Sequence, residues 1–170
     1  TYVALGAMAL FRHYNPRFRV CVIAPRENIQ KKWQKELLNF TRNNLRFDDL
    51  RVRGIEGRPA RAAVACENLL GLIRETSLDP DRDFFLRMTS FSMPLAGSGE
   101  EWKRLRDGLR SYLPWLDDDA FDLRNKDVFK ANIASAVCCA LPIFDLVIVD
   151  EAHNLKRGIR SSASTRNIVL

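Results

Sequence analysis

Short continuous apolar runs alternate along the chain with stretches of helical periodicity. The run from Val20 to Ala24, within FRVCVIAP, predicts a strand buried on both faces, as in a parallel sheet. Similar runs in FFLRMTSFSM (84–93) and FDLVIVD (144–150) predict two more strands, and LRFDDLRVRGI (45–55) predicts another. Strands alternating with helices indicate an α/β fold with a mainly parallel sheet flanked by helices.

Four segments outside the middle of the chain have helical patterns. Residues 2–13 are apolar nearly all round, which predicts a helix buried against the sheet. Ile29, Trp33, Leu37 and Phe40 recur at helical spacing, so Trp33 is expected to be a core residue. Residues 60–74 and 161–167 are also predicted to be helical.

Residues 97–141 form a helical insert between two predicted strands. In the first half, Trp102, Leu105, Leu109 and Tyr112 share one helix face. The second half, KDVFKANIASAVCCAL, predicts another helix that Pro142 stops. We expect the insert to pack against the core, although a partner-docking role is an alternative.

Length and composition favour one intracellular domain, either cytoplasmic or nucleoid-associated. A chain of 170 residues suits one domain, and no apolar run approaches the length of about 20 residues that spans a bilayer. The four cysteines fit no zinc spacing, so we interpret them as reduced thiols. Cys138 and Cys139 are expected to be buried in helix packing, with a redox-active pair as the alternative. The chain begins without methionine, which is consistent with a fragment.

Positive charge is concentrated in the first part of the chain. The formal net charge is +6, yet residues 12–61 hold 13 Lys and Arg against 5 Asp and Glu, an excess of 8, so the remainder sums to −2. Such a basic region favours a polyanionic partner, usually nucleic acid, although a solvated cationic surface explains it equally well.

The predicted strand in DLVIVDEAHNLK (145–156) ends on two adjacent carboxylates, Asp150 and Glu151. Two acids alone would more often cap the next helix, but the apolar run before them and the AH-x-L-K after them favour nucleotide chemistry. ATP hydrolysis needs Mg²⁺ and a group that orients and deprotonates water. Asp150 is the candidate Mg²⁺ carboxylate and Glu151 the candidate base. His153 would lie near the γ-phosphate or couple the site to a neighbouring domain.

VIVDEAHNLK resembles the DEAH box of superfamily 2 helicase-type ATPases, and its NLK is closest to the SWI/SNF-type branch. CVIAPRENIQKKWQKEL is similar to motif Ia of that branch, and FFLRMTSFSM is similar to its strand ending in TSY, with Phe91 in place of Tyr. The resemblance covers most of the chain except the insert. It implies a RecA-like P-loop NTPase fold that binds ATP and Mg²⁺.

The phosphate-binding loop G-x-x-x-x-G-K-[ST] of that family does not occur in these residues. The family places this loop immediately before a buried helix such as 2–13, so the resemblance implies that Thr1 is its last residue, with its hydroxyl on Mg²⁺. In the family, a further conserved motif follows a strand like Ile168–Leu170, so the resemblance implies that this motif comes directly after residue 170. Residues 1–170 are therefore expected to be part of a first RecA-like domain, truncated at both ends, whose partner is a second RecA-like domain.

The resemblance also assigns a nucleic-acid surface. Motif Ia and the TS loop contact the nucleic-acid backbone in the family, which carries this role over to five residues, and three lysines extend the patch unless they form only a solvated helix face. The five are Pro25, Arg26, Glu27, Thr89 and Ser90, and the lysines are Lys31, Lys32 and Lys35.

The function expected from this resemblance is an ATP-dependent translocase that moves on duplex DNA. One alternative is an RNA-directed DEAH-type helicase, which NLK argues against. Others are a non-catalytic binding module with a degenerate ATPase fold and a restriction- or defence-associated ATPase subunit. No membrane partner is expected.

Overall fold

The computed structural model describes residues 1–43, 61–91, 99–117 and 126–152. The strand predicted over 45–55, the helix predicted over 161–167 and His153 lie outside these ranges. In chain order the elements are α1 Tyr2–Tyr14, β1 Val20–Ala24, α2 Glu27–Asn43, β2 Ala63–Cys66, α3 Leu69–Leu78, β3 Asp83–Arg87, a short 3₁₀ helix Met88–Phe91, α4 Gly99–Tyr112, α5 Lys126–Ala140 and β4 Leu146–Val149.

The strands form a four-stranded, all-parallel sheet in the order β2-β3-β1-β4. Cys21 is opposite Phe84 on one side of β1 and opposite Val147 on the other. All five residues of β1 are buried, as its continuous apolar run predicted. The predicted α/β class with a parallel sheet flanked by helices is therefore confirmed.

Helices cover both faces of this sheet, and the side chains of β1 alternate between the two apolar clusters that lie on these faces. Val20, Val22 and Ala24 pack with α1 and α2, in a cluster that includes Trp33 and Leu37. Cys21 and Ile23 face the other way, into a cluster with residues of α3, α4 and α5. Each strand residue thus contributes to one of two layers of core.

The predicted helix over 60–74 is wrong in its first half. Ala63–Cys66 is strand β2, which pairs with β3 from Ala63–Asp83 to Cys66–Leu86. The helix begins only at Leu69, after Asn68, whose side-chain oxygen accepts a hydrogen bond from the Gly71 N–H at 2.9 Å. Alanine favours helix locally, but pairing with a buried neighbouring strand outweighs that preference.

Helix α1 forms as predicted, but it is only partly buried among the described residues. Leu5, Met8 and Ala9 are buried, whereas Val3 and Leu10 on the opposite side are exposed. The predicted burial of α1 against the sheet is therefore confirmed, on one side of the helix. A helix loses its whole surface only where neighbours surround it, and here α1 contacts the sheet and α2 on one side.

The two helices of the insert pack against the core, as expected. Leu109 of α4 and Ile133 of α5 are fully buried in the cluster that also contains Phe84. Cys138 and Cys139, however, are exposed, so their predicted burial in helix packing is wrong. The buried face of α5 includes Ile133 and Val137, and the next two positions rotate away from it by about 100° each.

An ion pair fixes α1 to the amino end of β3. The Arg12 guanidinium donates to both carboxylate oxygens of Asp83, with a distance of 2.8 Å from Nη1 to Oδ2. Both side chains are buried. Burial raises the pKa of Asp83, while the charge of Arg12 and its hydrogen bonds act in the opposite direction. The pair satisfies two charges that would each be costly to bury alone.

No helix in the described ranges is long and apolar enough to cross a membrane.

Candidate functional site

The carboxyl edge of the sheet brings together three of the predicted segments. Asp150 and Glu151 follow β4, Pro25 and Arg26 follow β1, and Thr89 lies in the 3₁₀ helix after β3. These three strands are neighbours and parallel, so their carboxyl ends meet at one edge. Ligands of open α/β sheets bind at this edge.

Asp150 is held from two directions. Its backbone N–H donates to the carbonyl of Ile23 at 2.9 Å, which extends the pairing between β1 and β4 by one residue. Its carboxylate Oδ2 accepts a hydrogen bond from the indole Nε1–H of Trp33 at 2.8 Å. Trp33 is buried in α2, with 4% of its surface exposed. The Asp150 carboxylate is thus fixed by a rigid donor on a different element.

Glu151 has an unusual backbone conformation. Its φ of 56° lies in the left-handed region, and it is the one non-glycine residue with positive φ among the described residues. An L residue in this region is strained by about 1–2 kcal/mol. The side chain is exposed, immediately after the anchored Asp150. Strain of this kind concentrates at functional sites, where surrounding structure enforces it.

Thr1, the predicted magnesium-contacting hydroxyl, is exposed at the start of α1. Its carbonyl accepts a hydrogen bond from the N–H of Leu5, and its side chain makes no capping hydrogen bond. The adjacent Tyr2 ring lies 6.3 Å from that of Phe40 in α2. Phe40 lies about 10 Å further along the α2 axis than Trp33, the residue that donates to Asp150. No hydrogen bond joins Thr1 to Asp150 in the described ranges, so the role of Thr1 stays a prediction.

Two of the predicted nucleic-acid residues after β1, Glu27 and Lys31, form an ion pair with each other. Arg26 is exposed, but Glu27 pairs with Lys31 at 2.6 Å and with Arg87 at 3.4 Å. The hydrogen bond and charge of Lys31, followed by the charge of Arg87, lower the pKa of Glu27. Since Glu27 offsets part of their charge, Lys31 attracts a polyanion less than its sequence position suggests.

Lys32 and Lys35 are exposed on the same helix, as a cationic surface requires. Both lie on the solvent side of α2, away from the buried face that carries Trp33 and Leu37. The predicted helix face is therefore present, and whether it binds nucleic acid stays a prediction.

The residues after β3 divide into one exposed side chain and one engaged side chain. Thr89 is exposed. Ser90 Oγ donates to the carbonyl of Glu67 at 3.0 Å, and the Arg87 guanidinium donates to the same carbonyl at 2.9 Å. Ser90 therefore links the segments after β3 and β2 rather than presenting its hydroxyl proton outward.

Gln30 is a structural link at this edge that the sequence reasoning missed. It is buried, and its side-chain Nε2 donates to the carbonyls of Cys66 at 3.2 Å and Phe85 at 2.6 Å. Together with the Trp33 bond to Asp150, it connects one face of α2 to β2, β3 and the end of β4. The available signal was an amide three residues before Trp33, on an otherwise apolar face.

The acids at the end of β4 suit one hydrated Mg²⁺ better than a closed metal cage. In the ranges described, no group of three or more His, Cys, Asp or Glu side chains could hold a metal. Mg²⁺ at phosphate-transfer sites commonly uses one or two carboxylates, with waters and substrate phosphates completing the shell. Asp150 fits that role because its Oδ2 is oriented by Trp33, while Oδ1 has no hydrogen-bond donor among the described residues.

Comparison with known proteins gives no independent assignment. No family model, no curated protein and no solved structure matches this chain. Its function has to be argued from the residues at the carboxyl edge and their geometry.

Proposed function

We propose that the chain is part of the first RecA-like motor domain of an ATP-dependent DNA translocase of the SWI/SNF type. The observation that carries the proposal is the arrangement after β4. Asp150 is anchored to β1 and to Trp33, and the next residue, Glu151, is an exposed carboxylate on strained backbone. The resemblance of VIVDEAHNLK to a DEAH box supports the same chemistry.

In this proposal the two acids have different tasks because their environments differ. The partly buried Asp150 would hold Mg²⁺, which supplies charge neutralisation for the ATP phosphates when bound. Glu151, exposed and one residue further from the sheet, would orient and deprotonate the attacking water. Glu151 directly follows the anchored Asp150, and a carboxylate held in this way would keep the attacking water in a constant position.

The neighbouring strand ends provide the proposed DNA surface. Arg26, Lys32, Lys35 and Thr89 are exposed on the segments that follow β1 and β3. Cations and hydroxyls bind the phosphate backbone without reading sequence, which suits a motor that moves along duplex DNA. Pro25 and Arg26 directly precede α2, which carries Trp33, so the proposed DNA and magnesium surfaces share one helix.

The proposal requires parts that these residues do not include. A phosphate-binding loop is expected directly before Thr1, and a second RecA-like domain is expected to close on ATP. Binding of ATP between the two domains would close them, and hydrolysis would reopen them, which produces a step along DNA. Residues 1–170 alone are accordingly expected to show no ATP turnover. Mg²⁺-dependent turnover that Glu151→Gln removes from this chain would contradict that expectation.

The decisive experiment measures ATPase activity of the longer protein that contains these residues, with no nucleic acid, single-stranded DNA, duplex DNA or RNA. We expect duplex DNA to stimulate most. Glu151→Gln should lower the stimulated rate at least about 100-fold, because it removes the proposed base. Asp117→Asn, at an exposed acid outside the site, is the matched control and should leave the rate unchanged.

Other outcomes of this experiment separate the alternatives. Stronger stimulation by RNA than by duplex DNA would favour an RNA-directed helicase. A protein with no ATPase under any condition would favour a non-catalytic binding module. Activity that Glu151→Gln leaves intact would refute the assignment of the base.

A further inference from the structure

The side chain that orients Asp150 lies on a helix far away in sequence. Trp33 Nε1 is 2.8 Å from Asp150 Oδ2, although the two residues are separated by 117 positions. Indole N–H is a donor only, and its ring is packed in the cluster that includes Leu37 and Val22. The indole is buried in this cluster, so packing rather than solvent holds the donor in place.

Such a bond constrains a metal-binding carboxylate in a specific way. A carboxylate that accepts a fixed donor on one oxygen keeps a single orientation, and its other oxygen stays available to a cation. Partners of this kind orient metal ligands, and their removal typically weakens metal binding about 10–100-fold. Packing alone could hold the indole in place, but only its hydrogen bond to Oδ2 would fix the orientation of the Asp150 carboxylate and so change its affinity for the metal.

We infer that Trp33 is a positioning residue for the Mg²⁺ carboxylate Asp150. This inference rests on the proposed function, because it assumes that Asp150 binds Mg²⁺ together with a nucleotide. It assigns to Trp33 a task beyond core packing, namely setting the affinity of the site for the metal. Gln30, one turn earlier, fixes the same helix to the carbonyls of Cys66 and Phe85, so α2 is a rigid support for the donor.

The test is a Mg²⁺ titration of nucleotide binding, which does not depend on turnover. The longer protein carrying Glu151→Gln is mixed with a fluorescent ATP analogue, and the Mg²⁺ concentration at half-maximal binding is measured. Trp33→Phe in the same background keeps an aromatic ring and removes the donor. We expect it to raise the half-maximal Mg²⁺ concentration about 10-fold, while binding at saturating Mg²⁺ is retained.

A matched variant separates positioning from packing. Leu37→Val removes buried volume from the same cluster and leaves the hydrogen bond intact, so it should lower stability without changing the half-maximal Mg²⁺ concentration. A spectroscopic readout tests the bond itself: the indole N–H resonance of Trp33, identified by its loss in Trp33→Phe, should move in Asp150→Asn.

The outcomes distinguish this inference from the proposed function. An unchanged Mg²⁺ midpoint in Trp33→Phe, or an equal loss of binding at every Mg²⁺ concentration, would overturn the positioning role and leave the function standing. Absence of Mg²⁺-dependent nucleotide binding in the Glu151→Gln protein itself would overturn both.

Discussion

The backbone strain at Glu151 leads to a prediction about the relative stability of two variants that both lose the proposed base. The residue has φ 56°, where a side chain costs about 1–2 kcal/mol and glycine has no such penalty. Glycine also increases the freedom of the unfolded chain, which costs about 0.5–1 kcal/mol. We therefore expect Glu151→Gly to be more stable than Glu151→Ala by about 1 kcal/mol.

The comparison between glycine and alanine isolates the backbone term. Both variants lose the carboxylate and every contact that it makes, so any interaction of the Glu151 side chain cancels. Urea unfolding followed by circular dichroism measures the difference, which corresponds to about 2–4 °C in Tm for a domain of this size. Both variants should be inactive in the ATPase assay of the longer protein.

Lys35 provides a control of opposite sign. It is exposed within α2, where glycine is less favourable than alanine by about 1 kcal/mol. Lys35→Gly should therefore be less stable than Lys35→Ala. If Glu151→Ala is more stable than Glu151→Gly by about 0.5–1 kcal/mol, which is the cost of glycine alone, the backbone of Glu151 carries no strain, and the link between its conformation and the proposed function is refuted.

Two further predictions concern buried groups. Asp83→Asn should destabilise the fold by about 3–5 kcal/mol in urea unfolding, because it leaves Arg12 charged and unpaired. The double variant Arg12→Met with Asp83→Leu should cost less stability than the sum of its two single changes. If the two single losses simply add, the pairing is contradicted. Burial raises the pKa of Cys21 and of Cys66 from 9.0 to about 12. The stability that the two thiols contribute is therefore complete below pH 9 and is lost between pH 9 and 12, because the unfolded chain ionises first. The free energy of unfolding should fall by up to about 1.4 kcal/mol per pH unit for each thiol. Replacing both with alanine should flatten this alkaline slope, and Cys139→Ala, at an exposed thiol, should not; an unchanged slope in the double variant would show that other groups cause it.

Elements with a strong local pattern were predictable from the sequence. The continuous apolar run of β1 and the repeat of Ile29, Trp33 and Leu37 in α2 predicted both element type and burial, because burial on two faces or on one stripe requires these patterns. The exposure of Cys138 and Cys139 was also predictable from the sequence. The apolar repeat of α5 places them off its buried face, but the prediction relied on the general tendency of cysteine to be buried.

Strand β2 was not predictable in the same way. Ala63–Cys66 contains good helix formers, and it becomes a strand because β3, about 20 residues away, provides its hydrogen-bond partners. Parallel pairing is non-local, so no periodicity within the segment identifies it. The burial of α1 on one side only is decided in the same manner, by which elements surround it.

The sequence alone identified the two acids after an apolar strand and the basic helix that follows β1, because both are local patterns of residue type and spacing. Only the tertiary structure showed that Trp33 donates to Asp150 and that Lys31 and Arg87 pair with Glu27. It also placed Glu151 on left-handed backbone. The physical reason is that a hydrogen bond between distant segments depends on strand order and helix packing, which a linear pattern of apolar and polar residues does not encode.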